Sequence, residues 1–215
     1  MNTSRQTFAK ARGLGKLAAA ALLVGGINAG AATIGFEAET FYAEGGNGFD
    51  IVTDVDALGG EYITTASNSL SPGHTATYSL TFSEAGDYDL YAKIQVPGND
   101  QQDGANDSFY APDDFGSSPG WELVNGLSVA GQSDAVYHWR NITSDFTSTT
   151  YNPGGAGTLD FTISGREDGL LIDAFVLSTD SNLSDTDLDN AVIPEPTALA
   201  LLGLGAAALL RRRRC

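Results

Sequence analysis

Cysteine and histidine are scarce in this sequence of 215 residues. The single cysteine, Cys215, is the last residue, so no intrachain disulfide can form. The two histidines, His74 and His138, lie in no metal-ligand spacing and in no Gly-x-Ser-x-Gly context. Catalysis needs a positioned set of reactive side chains, and no such set is visible. We therefore expect a protein that is not an enzyme.

Positively charged residues are scarce between the two termini of the sequence. Of the 11 Lys and Arg residues, four lie before residue 17 and four at 211–214, which leaves Lys93, Arg140 and Arg166. The sequence between Glu37 and Asp189 holds 26 acidic residues, so its formal charge is −23. Such a surface repels nucleic acid, which excludes that partner, and attracts divalent cations. For most of these carboxylates, solubility is a sufficient explanation.

The N-terminus has the three regions of a secretory signal peptide. Its basic residues are Arg5, Lys10, Arg12 and Lys16. An apolar stretch, Leu17 to Ile27, follows them, and the small residues Ala29-Gly30-Ala31 form a cleavage site. The sequence thus predicts a signal peptide over 1–31, with cleavage after Ala31 or Ala32, and an exported mature protein.

The C-terminus carries three elements in a fixed order. Pro194-Glu195-Pro196 stands before an apolar segment of 14 residues, 197–210, and four arginines, Arg211, Arg212, Arg213 and Arg214, follow it. This tail resembles the PEP-CTERM sorting signals of bacterial exported proteins, which a membrane transpeptidase (exosortase) recognises and processes; an ordinary terminal helix is the alternative. The segment is shorter than the roughly 20 residues that cross a bilayer comfortably.

The arginines of this tail should stay on the cytoplasmic side of the membrane. We expect residues 194–215 to form a short hydrophobic helix that anchors the protein transiently in the inner membrane. The preceding domain is then delivered to the cell envelope, the cell surface or the extracellular space.

Residues 32–180 have the pattern of one all-β domain. Alternating apolar residues predict an antiparallel hairpin from Ala76–Phe82 and Tyr88–Ile94. Further strands are predicted at Ile34–Phe41, Glu61–Thr65, Ser108–Tyr110, Ala135–Arg140, Thr158–Ile163 and Leu170–Ser178. About eight strands favour a jelly-roll β-sandwich. Residues 96–134 should form long loops, and 181–193 a flexible acidic linker.

A calcium site is predicted where the first and last strands meet. Leu170 to Leu177 is apolar on both faces, so it should be a central strand, and Asp173 interrupts it at a high cost unless a cation or several donors meet the carboxylate. Glu37 and Glu39, two residues apart, should project from one side of the first strand. Three carboxylates together form the all-oxygen environment that Ca²⁺ prefers. The alternative is that Arg166 neutralises Asp173 without a metal.

Four motifs resemble those of carbohydrate-binding modules of families six and thirty-five and their galactose-binding-like relatives. They are Gly35-Phe36-Glu37-Ala38-Glu39, Gly59-Gly60-Glu61-Tyr62-Ile63, Asn106-Asp107-Ser108-Phe109-Tyr110, and the run from Gly157 through Arg166-Glu167-Asp168-Gly169 to Leu177. The resemblance implies a β-sandwich with a structural Ca²⁺ at Glu37, Glu39 and Asp173. It also implies sugar binding by an aromatic platform, for which Trp121, Tyr110, Asn125 and Trp139 are the candidates; Trp139 also fits the core.

Three functions follow from these features. The first is a lectin-like, non-catalytic module that binds polysaccharide at the cell surface or in the extracellular matrix. The second is a structural surface component with no specific glycan ligand. The third and least favoured is a polysaccharide-degrading enzyme. Such an enzyme uses a pair of carboxylates, but 26 acidic residues in one small domain produce such pairs by accident, so a pair is weak evidence for catalysis.

Overall fold

The computed structural model describes residues 31–65, 67–97, 106–116, 118–128 and 136–193. The predicted signal peptide, apart from residue 31, and the predicted sorting signal at 194–215 lie outside these residues. No helix in the described ranges is long and apolar enough to cross a membrane.

The described residues form two antiparallel sheets. The strands are β1 Thr33–Glu37, β2 Ala43–Gly45, β3 Asp50–Thr53, β4 Glu61–Thr64, β5 His74–Phe82, β6 Asp89–Gln95, β7 Phe109–Pro112, β8 Trp121–Val124, β9 His138–Asn141, β10 Gly157–Gly165 and β11 Leu171–Ser178. The first sheet has the order β3-β4-β11-β6-β9, with β1 also on β11, and the second has the order β2-β5-β10-β7-β8. The all-β sandwich prediction is confirmed.

Aromatic rings fill the space between the sheets. Phe36 and Phe175 of the first sheet stack at a centroid distance of 5.5 Å, and Tyr78 of the second sheet lies 4.8 Å from Phe36. Phe161 of β10 completes the cluster at 6.2 Å from Phe175. Phe161 and Phe175 are wholly buried, and burial of such a side chain stabilises a fold by roughly 2–3 kcal/mol.

The predicted hairpin of Ala76–Phe82 and Tyr88–Ile94 is wrong in its pairing. Both strands exist, but β5 pairs with β10 and β2 in the second sheet, while β6 pairs with β11 and β9 in the first. Phe82 and Tyr88 face each other across the core at 5.2 Å, so the connection between them crosses from sheet to sheet. Alternation identifies a strand with one buried face, and it does not identify that strand's partner.

The last strand is central, as its apolar sequence predicts. β6 pairs with β11 along one side, and β1 and β4 share the other side. One face of β11 lies on the core, and Val176 on the other face packs against Leu188 of a helix, α1, which spans Asp185–Val192. The predicted flexible linker over 181–193 therefore contains a folded helix. The sequence feature that marks the start of this helix is Ser184, which caps the helix N-terminus together with Asp187.

The remaining differences lie in loops and at strand ends. Within residues 96–134, predicted as long loops around a strand at Ser108–Tyr110, β7 lies close to that strand, but its partner β8 was not predicted. The two pair from Phe109 opposite Val124 to Pro112 opposite Trp121. β1 ends at Glu37, because residues Ala38–Thr40 form a single 3₁₀ turn where a strand was predicted. Short edge strands such as β2, β3 and β8 have too few residues to show a period.

Candidate metal centre and adjoining cleft

The first and last strands meet as predicted. β1 pairs antiparallel with β11, and Glu37 lies opposite Ala174, the residue after Asp173. β4 takes over the same side of β11 with Ile63 opposite Ile172. Asp173 therefore lies at the junction where β1 gives way to β4.

A β-bulge aims Asp173 into this junction. On the β6 side, Ile172 pairs with Ile94 and Ala174 with Lys93, which leaves Asp173 as the extra residue. The residue has no exposed surface. Its Oδ2 accepts a hydrogen bond of 3.1 Å from the Leu58 amide, and its buried Oδ1 has no hydrogen-bond partner.

Glu39 reaches the site from the 3₁₀ turn after β1. The inference that Glu37 and Glu39 share one side of a strand is wrong, since the strand ends between them. The turn is held by the Tyr78 hydroxyl, which donates to the Ala38 carbonyl at 2.6 Å, and by the Thr40 hydroxyl, which donates to the Glu37 carbonyl at 2.7 Å. These contacts keep both glutamates near β11.

A second turn, Leu58–Gly60, lies directly against Glu37. A Cβ added at Gly59 would be 2.7 Å from Glu37 Oε1, and the φ of Gly59 is 63°. Only glycine meets both conditions without strain. This turn also supplies the Leu58 amide to Asp173, so one short segment positions two of the three carboxylates.

Burial raises the pKa values of all three carboxyl groups, and neighbouring carboxylates add to each shift. Desolvation is the largest cause in each case. It raises the pKa of Glu37 to about 8, with Glu39 and Asp173 adding to the effect, and that of Glu39 to about 7. The pKa of Asp173 rises to about 6 although the Leu58 amide and the Lys93 charge oppose the shift.

The donor set has the chemistry that calcium requires. Glu37 Oε2, Glu39 Oε2 and Asp173 Oδ1 are buried and lack hydrogen-bond partners. Such oxygens are costly unless a cation meets them. As the side chains stand, no group of three or more His, Cys, Asp or Glu in the described part of the chain is close enough to enclose an ion. The carboxylates are therefore close enough to repel one another but, as the side chains stand, too far apart to surround an ion together.

Arg166 does not neutralise Asp173. Its Nη1 donates to the Ser108 hydroxyl and, at 2.5 Å, to Glu167 Oε1. The other oxygen of Glu167 accepts the Asp107 amide at 2.9 Å. The alternative explanation for Asp173 is therefore not supported by the geometry.

Arg166 and Glu167, in the connection from β10 to β11, line a cleft of about 230 Å³. The lining residues are Asn68, Ser69, Leu70, Asn106, Arg166 and Glu167. Leu70 is 92% exposed, whereas Asp107, beside the cleft, is buried with Oδ2 accepting from Ser128 and Oδ1 without a partner. The cleft thus combines fixed polar groups with an exposed apolar side chain.

The structure does not assemble the predicted aromatic platform. Tyr110 is 8% exposed and its hydroxyl donates to the Leu70 carbonyl at 3.0 Å, so it supports the cleft loop from below. Trp139 lies against α1, and its Nε1 donates to Asp189 at 2.9 Å. Trp121 is partly exposed at the start of β8, and Asn125 is exposed just beyond the end of that strand.

Asn125 lies in a segment that is attached to the residues beside the cleft. It follows Val124, which pairs with Phe109, and the Leu127 amide donates to the Asp107 carbonyl at 3.1 Å. Trp121 lies at the other end of β8, opposite Pro112. The loop residues Asn68 and Leu70 were missed, because a polar loop has no periodicity that singles out a lining residue.

Comparisons with known proteins concern the C-terminal tail and the β-sandwich domain. Residues 192–214 match the PEP-CTERM protein-sorting motif. This chain carries a PEP-CTERM sorting signal. The match confirms the predicted signal and implies export and sorting to the surface by an exosortase-type system. No curated protein sequence is significantly similar to this chain.

Among solved structures, the domain is similar to carbohydrate-binding modules. The C-terminal CBM6 of LamC, a marine laminarinase from Zobellia galactanivorans, is 16% identical with a TM-score of 0.48, over 68% of this chain and 99% of the module. CBM6cm-2 from Cellvibrio mixtus lichenase 5A, solved with cellotriose, is 15% identical with a TM-score of 0.43, over 70% and 98%.

A third similar structure is the exo-β-1,3-galactanase of Phanerochaete chrysosporium, solved with galactose. It is 15% identical with a TM-score of 0.46, over 68% of this chain and 29% of that enzyme. At these identities and TM-scores the likenesses carry no argument about ligand or activity. The sandwich assignment rests on the chain's own strand order and register.

Proposed function

We propose that this exported protein presents a non-catalytic, Ca²⁺-stabilised module that binds a glycan at the cell surface or in the extracellular matrix. The observation that carries the glycan proposal is the cleft, where an Arg166–Glu167 pair and two asparagines surround an open space beside the exposed Leu70. Sugar rings offer C–H faces to apolar side chains and hydroxyls to amides and charged groups.

Calcium has a structural role in this proposal. Glu37, Glu39 and Asp173 are its side-chain ligands, through the three oxygens that lack partners. The ion supplies the positive charge that offsets their repulsion. It also ties the end of β1 to β11, the strand that follows the cleft residues Arg166 and Glu167 in the chain.

The histidines give no support to catalysis. His74 lies in β5 of the second sheet and His138 in β9 of the first. Residues 116–120 read Gly-Ser-Ser-Pro-Gly and so fit the letters of a nucleophile motif. That motif acts in a strand-to-helix turn, whereas Ser118 lies exposed between β7 and β8, two strands.

A structural surface protein without a specific ligand is the second candidate. It is favoured by the burial of Tyr110 and by the position of Trp139, which packs against α1 and hydrogen-bonds Asp189. Fold alone does not choose between a binder and a spacer.

The tail acts before either role begins. In this proposal the apolar segment 197–210 holds the protein in the inner membrane, and an exosortase-type transpeptidase processes the chain at Pro194-Glu195-Pro196. The acidic domain stays outside, where polysaccharide is the available partner.

Binding of the full chain to a panel of purified polysaccharides tests the glycan proposal. Leu70→Ala should weaken binding to any retained glycan about tenfold, because it removes the apolar contact. Val55→Ala is the matched control, since Val55 is also 92% exposed but lies outside the cleft. Binding to no glycan would favour the spacer, and equal losses from both variants would place the glycan elsewhere.

A further inference from the structure

Helix α1 packs on the outer face of the first sheet, close to the carboxylates. Leu188 is buried against Tyr91 and Val176. A Cβ added at Gly35 would collide with the Ala191 carbonyl group, so the helix backbone contacts β1 directly. Glu37 is two residues from Gly35 on the same strand and therefore projects from the same face.

One row of side chains joins Glu37 to this helix. Glu37 lies opposite Ala174, Ala174 opposite Lys93, and Lys93 opposite Trp139. Residues directly opposite one another in antiparallel strands share a face of the sheet. The small side chain of Ala174 is thus all that separates the strand positions of Glu37 and Lys93.

Asp189 of α1 holds Lys93 at the helix end of this row. Lys93 Nζ lies 2.7 Å from Asp189 Oδ1, and the same oxygen accepts Trp139 Nε1 at 2.9 Å. The Lys93 side chain is 11% exposed, and its Nζ lies 5.8 Å from the Trp139 ring centroid. The ammonium group of Lys93 is therefore held by its ion pair with Asp189 and by its contact with the Trp139 ring, and little of the side chain is exposed to solvent.

The charge of Lys93 nevertheless reaches the candidate metal site. Burial is the largest cause of the raised pKa values of Glu37 and Asp173, and Lys93 opposes it in both. Lys93 is also the only lysine after residue 16. A flexible lysine this close could itself neutralise a carboxylate and compete with a metal ion.

We propose that Asp189 is a positioning residue for the cation site: it holds Lys93 on the helix side of Ala174 and so keeps the carboxylates available to a divalent cation. This inference rests on the proposed calcium site. It makes α1 part of that site, although no residue of the helix is a ligand.

Loss of the Asp189 charge releases Lys93. The lysine side chain then crosses Ala174 and forms an ion pair with Glu37. To bind, Ca²⁺ must displace the Lys93 ammonium group from that carboxylate. Removal of Lys93 as well abolishes this competitor, so the Asp189 charge no longer matters. The two substitutions therefore interact, which a double-mutant cycle measures.

The test is Ca²⁺ binding to the full chain by calorimetric titration in four forms: wild type, Asp189→Asn, Lys93→Met and the double variant. Asp189→Asn should weaken binding about tenfold in the wild-type background, and by less than about twofold in the Lys93→Met background. Asp185→Asn removes the same charge from the same helix without touching Lys93, and should leave affinity unchanged.

The outcomes separate this inference from the proposed function. Equal weakening by Asp189→Asn in both backgrounds would mean that Asp189 acts by docking the helix or through its own charge, which also acts on Asp173. No weakening in either would mean that Lys93 does not compete; both results overturn the inference alone. A wild-type chain that binds no Ca²⁺ overturns the metal site and this inference together. Thermal unfolding of each variant confirms that it is folded.

Discussion

Two acidic regions flank the start of β11, and the charges of their carboxylates are compensated differently. In the cleft, both oxygens of Glu167 have partners, Arg166 at 2.5 Å and the Asp107 amide at 2.9 Å. In the carboxylate cluster, Glu37, Glu39 and Asp173 each retain a buried oxygen without a partner. Glu167 thus has its own cation, whereas the three carboxylates of the cluster have no direct ion pair among the residues that the structure describes. The cluster should therefore respond to calcium and pH, whereas the Arg166–Glu167 pair should not respond to calcium.

The largest expected effect comes from breaking the cleft pair. Glu167→Gln should lower the free energy of unfolding by about 2 kcal/mol, because it leaves the partly buried guanidinium of Arg166 without its counter-ion. The loss should be the same with Ca²⁺ and with chelator, as measured by urea denaturation. Asp145→Asn is the control, since Asp145 pairs with Arg140 at 3.3 Å but is 41% exposed, and it should cost about 0–1 kcal/mol.

A loss for Glu167→Gln that appears only in calcium would contradict the separation of the two regions. It would mean that the cleft pair depends on the ion. The cleft pair and the carboxylate cluster would then not differ in their dependence on calcium.

The loss of stability with rising pH in the metal-free protein should be smaller, with the cluster as its main source. Folded pKa values of about 8 for Glu37, 7 for Glu39 and 6 for Asp173 lie above their ordinary values, so the folded state binds more protons than the unfolded state. Their contribution is complete below about pH 4 and is lost as pH rises towards 8. With allowance for solvent screening, we expect a loss of about 1–2 kcal/mol.

Chemical denaturation in chelator between pH 5 and 8 measures this loss. The double variant Glu37→Gln, Glu39→Gln is the control, and it should flatten the profile because two of the three groups no longer titrate. An equally steep decline in that variant would attribute the slope to the overall negative charge. Saturating Ca²⁺ should remove the decline in the wild-type protein.

The smallest expected effect compares two glycines with similar positive φ angles. Gly59 has φ 63° and Gly154 has φ 71°, so substitution by Ala should cost about 1 kcal/mol at either position. The added Cβ meets Glu37 at position 59 and nothing within 4 Å at position 154. Only Gly59→Ala should weaken Ca²⁺ binding, by about threefold, in calorimetric titration. Equal affinity in both variants would separate the turn from the site.

The sequence predicts what local pattern and residue chemistry determine. The apolar run around Asp173 identified a central strand with a costly carboxylate, and β11 lies in that position. Alternation identified β5 and β6 as strands. It could not show that they belong to different sheets, because their partners β10 and β11 lie far along the chain.

The candidate site was predicted by residue type and only partly by geometry. Glu37, Glu39 and Asp173 lie near one another, but Glu39 arrives from a 3₁₀ turn and Asp173 from a β-bulge. Neither feature has a sequence period. The roles of Gly59, Lys93 and Asp189 depend on which elements pack together, so only tertiary structure reveals them.

Thermal unfolding of the wild-type protein and of Asp173→Asn, each with Ca²⁺ and with chelator at pH 8, tests whether calcium binds and stabilises the folded protein at Asp173. The wild-type protein should gain about 2.7 kcal/mol at a Ca²⁺ concentration of 100 Kd, with a matching rise in Tm. Asp173→Asn should lose that gain, yet be no less stable than the wild-type protein in chelator, because it removes a buried charge without a counter-ion. A wild-type Tm that ignores calcium, or an Asp173→Asn variant that retains the full gain, would contradict the account.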